Sequence, residues 1–403
     1  EDNSLYIGND PTSTTSTAEY NLAVGTTALD AITTGDNNVA VGYNALTANT
    51  TGTRNIAMGY GALDAPDTEN DNLAIGYDAL GGAIAGGEFN VAIGNYSLDA
   101  LTTGDNNVAV GYDALTANTT GASNVAIGYE AMRDNVSNQG NVAIGMSALQ
   151  ESNGGEYNTA IGNNALRGTS NTNITGDENV AIGAGTMKFN IGGAQNSAVG
   201  RSSLYTNTSG SNNTALGYLA LYDNTTATYN TAVGSNSLEN TTTAGFNTAI
   251  GANSLLTNTT GQSNTAGGVN SLYANSAGNY NTGFGRNSLY ATTGSDNTSL
   301  GYQAGDAITT GSNNVVIGSG SDPSANSASN QIVIGYGATG QADNSVVLGN
   351  ASVTAVYMSQ DQGATAYGAT FKGSTSLQTP LIEYTDGDDA LTIADGGAVT
   401  TAT

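Results

Sequence analysis

The chain has 403 residues, of which only 10% are charged: 33 acidic side chains stand against 7 basic ones, for a net charge of −26. So few Lys and Arg exclude the basic footprint that nucleic acid and anionic membrane surfaces require. With neither Cys nor His, disulfides, thiolate or imidazole metal sites and Ser-His-Asp catalysis are excluded as well.

Gly reaches 56 residues while Pro is held to 4, and the low charge does not fit the composition of disordered chains. No run approaches the roughly eighteen apolar residues of a membrane helix. The chain opens at Glu1 without a basic-then-apolar segment, as expected of a mature chain or an excerpt.

From the N-terminus onward the sequence is a repeat. Gly8 closes SLYIG, and the glycines of the following AVG and AIG words fall at Gly25, Gly42, Gly59, Gly76, Gly94, Gly111, Gly128 and Gly145, continuing to Gly349. Nearly every step is 17 residues; the exceptions are 18 to Gly94, 21 to Gly183, 16 to Gly301 and 14 to Gly349. The stretch NVAVGYDALTANTTG (107–121) repeats NVAVGYNALTANTTG (38–52) with one letter changed. A period of this kind marks a solenoid of about twenty coils.

Within each coil the positions have their own chemistry. Four before the glycine stands Asn: Asn21, Asn38, Asn55, Asn72, Asn90, Asn107, Asn124, Asn141, Asn158 and onward to Asn314. Asn-Val-Ala-Val-Gly reads as a short strand ending in a glycine turn, and Ala-Leu-Thr-Ala-Asn as a second short strand closed by Thr-Thr-Gly. Stacked one coil apart at about 4.8 Å, identical amides form a hydrogen-bonded ladder. The glycines mark backbone needing positive φ or a place with no room for a side chain. The fold expected is an all-β parallel solenoid, with a shaft over 1–349 and a β-rich segment over 350–403.

The alternation places Val inward against the Leu of the same coil and Ala on the opposite face. A strand apolar on both sides is normally covered on both, and the sequence has no helix to do it. A second copy of the same roll is the cover expected. Neither end of the repeat looks capped, so adjoining fibre segments or end caps are expected partners.

Chemistry is sparse. The 21-residue step carries Asp177 and Glu178 as neighbours, a weak candidate for the paired carboxylates of a glycosidase. No carboxylate recurs at one position of the coil, so no calcium ladder is expected; neither metal nor cofactor is assigned. Tyr follows the repeat glycine at 43, 60, 77, 112, 129, 218, 302 and 336 and the repeat Leu at 205, 222, 273 and 290; such rows pack along a flank or meet sugars. Thr pairs at 33–34, 50–51, 102–103 and 119–120 raise an ice- or surface-binding array as a minor alternative, although their register slips at Asp67-Thr68. Residues 1–150 hold 17 acidic groups and the longer stretch 151–350 only 10, so the second half is the less repulsive surface.

The words N-V-A-I-G, N-T-A-V-G and N-S-V-V-L-G resemble the head repeats of trimeric autotransporter adhesins, which are left-handed parallel β-rolls wound as trimers. The resemblance covers roughly residues 3 to 349, with coils here longer than in those heads. The longer N-T-A-x-G-x-x-A/S-L-x-x-N-T-T-G form resembles bacteriophage tail fibre shafts, and VTAVYMSQDQGATAYGATFKG and LQTPLIEYTDGDDALTIADGGAVT resemble fibre segments that follow such shafts. The resemblance implies a homotrimer and a non-enzymatic fibre protein of the virion, involved in host attachment. A bacterial cell-surface or extracellular adhesin is the alternative. A cell-surface glycan or protein is the receptor class implied, with no nucleic acid and no membrane insertion.

Overall fold

The computed structural model describes residues 3–8, 17–169, 174–354 and 356. Its contacts divide the chain into a body, Glu1–Val353, and a second unit, Thr354–Thr403. Almost all of the expected 350–403 segment lies outside the described residues.

The body contains twenty-one strands of three residues each, from β1 (Leu5–Ile7) and β2 (Leu22–Val24) to β21 (Val346–Leu348), with no helix among the described residues. Each strand pairs in parallel with the equivalent strand of the next coil, as in Val108↔Val125, Ala109↔Ala126 and Val110↔Ile127. The odd-length steps preserve this register. The 21-residue step still aligns Thr159, Ala160 and Ile161 with Val180, Ala181 and Ile182, and Ile174 within it is fully buried. Twenty parallel steps at strand spacing give this body a rise of about 95 Å.

Two features differ from the sequence reading. The Ala-Leu-Thr-Ala half is not a strand but a run of turns. Its Leu residues are left-handed: Leu46, Leu115 and Leu204 have φ of 52°, 52° and 51°. Their backbone N–H groups still reach the next coil, Leu115 bonding to the carbonyl of Ala131 at 3.0 Å and Ala117 to that of Arg133 at 3.1 Å. Parallel hydrogen bonding therefore persists around the coil although single residues of the turn are left-handed. L-residues avoid this conformation by roughly 1–2 kcal/mol, a cost offset by complete burial of the Leu side chain.

The strand faces are also the reverse of the expectation. Ala23, Ala40, Ala57, Ala74, Ala92 and Ala109 point into the coil and are fully or almost fully buried. The flanking residues, such as Val39 and Val41 or Ile56 and Met58, point outward and stay half-exposed. The interior is too narrow for two branched chains. Where Leu from the turn half and Asn from the strand entry occupy it, only a methyl fits between them; in the last coils, where Asp322 and Thr339 replace that Leu, Val316 and Val333 take the inward position.

Candidate functional site

The glycines and asparagines singled out in the sequence are the joints of the coil. Gly25, Gly42, Gly59, Gly76, Gly94, Gly111, Gly128 and Gly145 all have φ between +130° and +146°. At Gly128 an added Cβ would lie 2.6 Å from the Gly145 carbonyl oxygen. Both readings of the glycine thus apply at once: the backbone is one that L-residues avoid, and the next coil fills the space.

Asn21, Asn38, Asn55, Asn72, Asn90, Asn107, Asn124, Asn141 and Asn158 are buried. At every step the Oδ1 of one accepts the backbone N–H of the next at 2.8–3.0 Å. Each Nδ2 turns instead toward a carbonyl in the next coil's turn, Gly52 for Asn38 and Gly121 for Asn107, at 2.8 and 2.9 Å. The column is therefore chiefly a side-chain-to-backbone ladder. Direct amide-to-amide bonds join only some members, such as Asn107 to Asn90 at 3.1 Å. A second column, Asn49, Asn118, Asn135, Asn190, Asn207 and Asn224, is fully buried too. The sequence put it at the end of a supposed second strand; its recurrence seven residues after the glycine was the signal that it shares the interior.

The Thr of the Thr-Thr-Gly turns acts in the same way. The hydroxyls of Thr33, Thr102, Thr208 and Thr259 donate to the carbonyls of Thr50, Thr119, Thr225 and Ser276 at 2.8–2.9 Å. Asp177 and Glu178 do not converge. Asp177 accepts the Glu156 backbone N–H at 2.9 Å, and Glu178 accepts Gln195 Nε2 at 3.0 Å, so the two carboxylates serve opposite neighbouring coils.

Acidic groups cluster on one flank of the first half. Burial raises the Asp64 and Asp99 carboxyls, and the nearby Asp78 raises both further. Asp113 is raised by burial and then by Glu130. No group of three or more acidic side chains is arranged to hold a metal among the described residues. Near the end of the body, burial pushes Asp322 up to about 6 from 3.8, with Asp306 adding to it.

A carboxyl whose folded pKa is raised favours the folded state while protonated, so stability is lost as pH rises through the folded value. Asp322→Asn should therefore stabilise the body at neutral pH. Solvent screening of a half-buried group limits the gain to on the order of 1 kcal/mol per chain. Thermal midpoints recorded between about pH 4 and pH 8 should fall for the parent and stay flatter for the variant. Parallel curves would remove Asp322 as the cause.

The surface that differs most from the rest of this acidic molecule is the outer face of the strands. None of the twenty-one strands carries a charged residue. Up to Val142–Ile144 its two outward columns are Val, Ile, Leu or Met; from Thr159 to Leu300 the first is mostly Thr while the second stays apolar; from Val315 on both are aliphatic again. Met58, Leu216 and Ile250 are 42%, 47% and 49% exposed, so the stripe is open along its length. Sequence reasoning assigned the need for cover to the Ala face; the aliphatic face carries it.

No protein-family model matches the chain, and no curated protein matches it.

Proposed function

We propose that the chain is a non-enzymatic fibre shaft that assembles as a parallel homotrimer through the outer faces of its strands. The observation that carries this reading is the uncharged, half-exposed outer face running through all twenty-one strands, its second column apolar at every strand but the one ending in Gly267, in a chain with net charge −26. A stripe this long is far more than the isolated apolar residues a monomer tolerates. A second copy in the same register sets like columns against like at every coil, while the carboxylates stay on other flanks. Three copies, and a left-handed winding, follow from the resemblance to adhesin heads and tail fibre shafts.

A bacteriophage tail fibre acting in host attachment is favoured over a cell-surface adhesin by the wording of 350–403. The first Thr of each pair donates its hydroxyl to the next coil, which supports the shaft over an ice-binding array that would need both hydroxyls of the pair.

Light scattering of the full chain at micromolar concentration tests the assembly. The expected mass is three chains, and the double variant Ile127→Asp, Ile250→Asp should shift it toward one, because each substitution places a charge in the shared stripe. A parent protein that is monomeric would sink the proposal.

A further inference from the structure

In the first half of the body, the tyrosines that follow the repeat glycine form a column. Tyr43 and Tyr60 lie 5.2 Å apart between ring centres at 19°, Tyr60 and Tyr77 5.1 Å at 6°, and Tyr112 and Tyr129 5.6 Å at 10°. Tyr96 joins the two runs, standing edge-on to Tyr77 and Tyr112. Stacking hides the ring faces, so the column does not offer the flat platform on which sugars rest. Its ring edges and hydroxyls remain open, with Tyr60 and Tyr129 each 50% exposed. Carboxylates stand beside them: Glu130 raises the Tyr129 phenol and Asp78 raises that of Tyr77.

We propose that this column is an oxidative modification site at which tyrosines of successive coils become joined by dityrosine bonds. A one-electron oxidant removes one electron from each of two neighbouring phenols, and each hydroxyl proton leaves to solvent. The two tyrosyl radicals pair their unpaired electrons in a new carbon–carbon bond between ring carbons ortho to the hydroxyls. The hydrogens on those carbons then move to the oxygens and restore both phenols. Each link thus costs the pair two electrons and two protons in total. The chain contains no Cys, so this is a covalent staple available to a protein that cannot form disulfides.

The argument is one of proximity. Rings already held about 5 Å apart react as if at very high local concentration, whereas exposure alone would favour other residues. Tyr20, Tyr280 and Tyr336 are 58%, 64% and 78% exposed, more than any member of the column, yet none stacks on another ring among the described residues.

The test is oxidation of the full-length protein by a photogenerated trivalent ruthenium tris-bipyridine complex, with persulfate as the final electron acceptor. Digestion and mass spectrometry then locate the links. Links Tyr43–Tyr60, Tyr60–Tyr77 and Tyr112–Tyr129 should exceed products at Tyr20, Tyr280 or Tyr336 by about tenfold or more, with the chain still migrating as one polypeptide on a denaturing gel. Tyr60→Phe keeps the ring in the stack and should abolish both links to residue 60 while leaving Tyr112–Tyr129 unchanged. Products ordered by exposure, products joining separate chains, or a yield in the first run insensitive to Tyr60→Phe would each overturn the proposal.

Discussion

Gly128→Ala is expected to break the body into two separately melting parts. Gly128 has a φ of +138°, a backbone that costs a side-chain-bearing residue about 1–3 kcal/mol. The new Cβ would also stand 2.6 Å from the oxygen and 2.7 Å from the carbon of the Gly145 carbonyl. These are backbone atoms, and Gly145 is packed in the same way against Gly162, so relief by movement would have to pass up the stack. Strain and overlap together should cost roughly 3–5 kcal/mol per chain. In a solenoid each coil touches only its neighbours, so the damage stays at one interface and should appear as a second, earlier transition on heating. Gly192→Ala is the control. Gly192 is not left-handed, and its nearest neighbour, the Thr175 hydroxyl, is 3.7 Å from a Cβ placed there; the change should stay within about 0.5 kcal/mol. If the two variants melt alike, coil-to-coil contact is not what keeps alanine out of position 128.

How much of this was legible in the sequence depends on what a period can encode. The spacing of Gly25, Gly42 and Gly59 carries the coil length and the parallel pairing, because only a stack of like on like lets one word recur. Alternation in Val39-Ala40-Val41 says which residues share a face but not which face points inward. That is decided by volume, since Leu46 and Asn38 already fill the interior and leave room for a methyl alone. The turn half was misread as a strand for a related reason. Nothing in Ala45-Leu46-Thr47 resists an extended chain, and left-handed Leu is disfavoured locally; closing a coil in 17 residues imposes it. The outer aliphatic stripe therefore became visible only with the fold. The tyrosine column was readable as a row, but its stacking depends on coil spacing and on the direction the chain takes after each glycine.

Asn124→Ala should be the costliest polar truncation in the middle of the body. The Asn124 Oδ1 accepts the Asn141 N–H at 3.0 Å, and its Nδ2 donates to the Asn138 carbonyl at 2.8 Å. Removing the amide strands one donor and one acceptor in a place with no access to water, for a loss of roughly 2–5 kcal/mol per chain. Asn118 is equally buried but is backed up. Its Nδ2 donates to the Gly121 carbonyl at 2.9 Å, an oxygen that also receives Asn107 Nδ2 at 2.9 Å. Asn118→Ala therefore orphans only the Gly121 N–H, which its Oδ1 accepts at 3.0 Å, and should cost about half as much. Asn124→Asp separates the two roles of the amide. The carboxylate can still accept from Asn141, but it faces the Asn138 carbonyl and the Asn107 Oδ1, 3.2 Å from the present Nδ2, with no proton to offer. Its folded pKa should rise through burial and through these oxygens, so this variant should approach the parent at acid pH and lose stability as pH rises. A flat pH profile for Asn124→Asp, or equal losses for the two alanine variants, would mean that the column holds its coils together by packing and not by its donor and acceptor pattern.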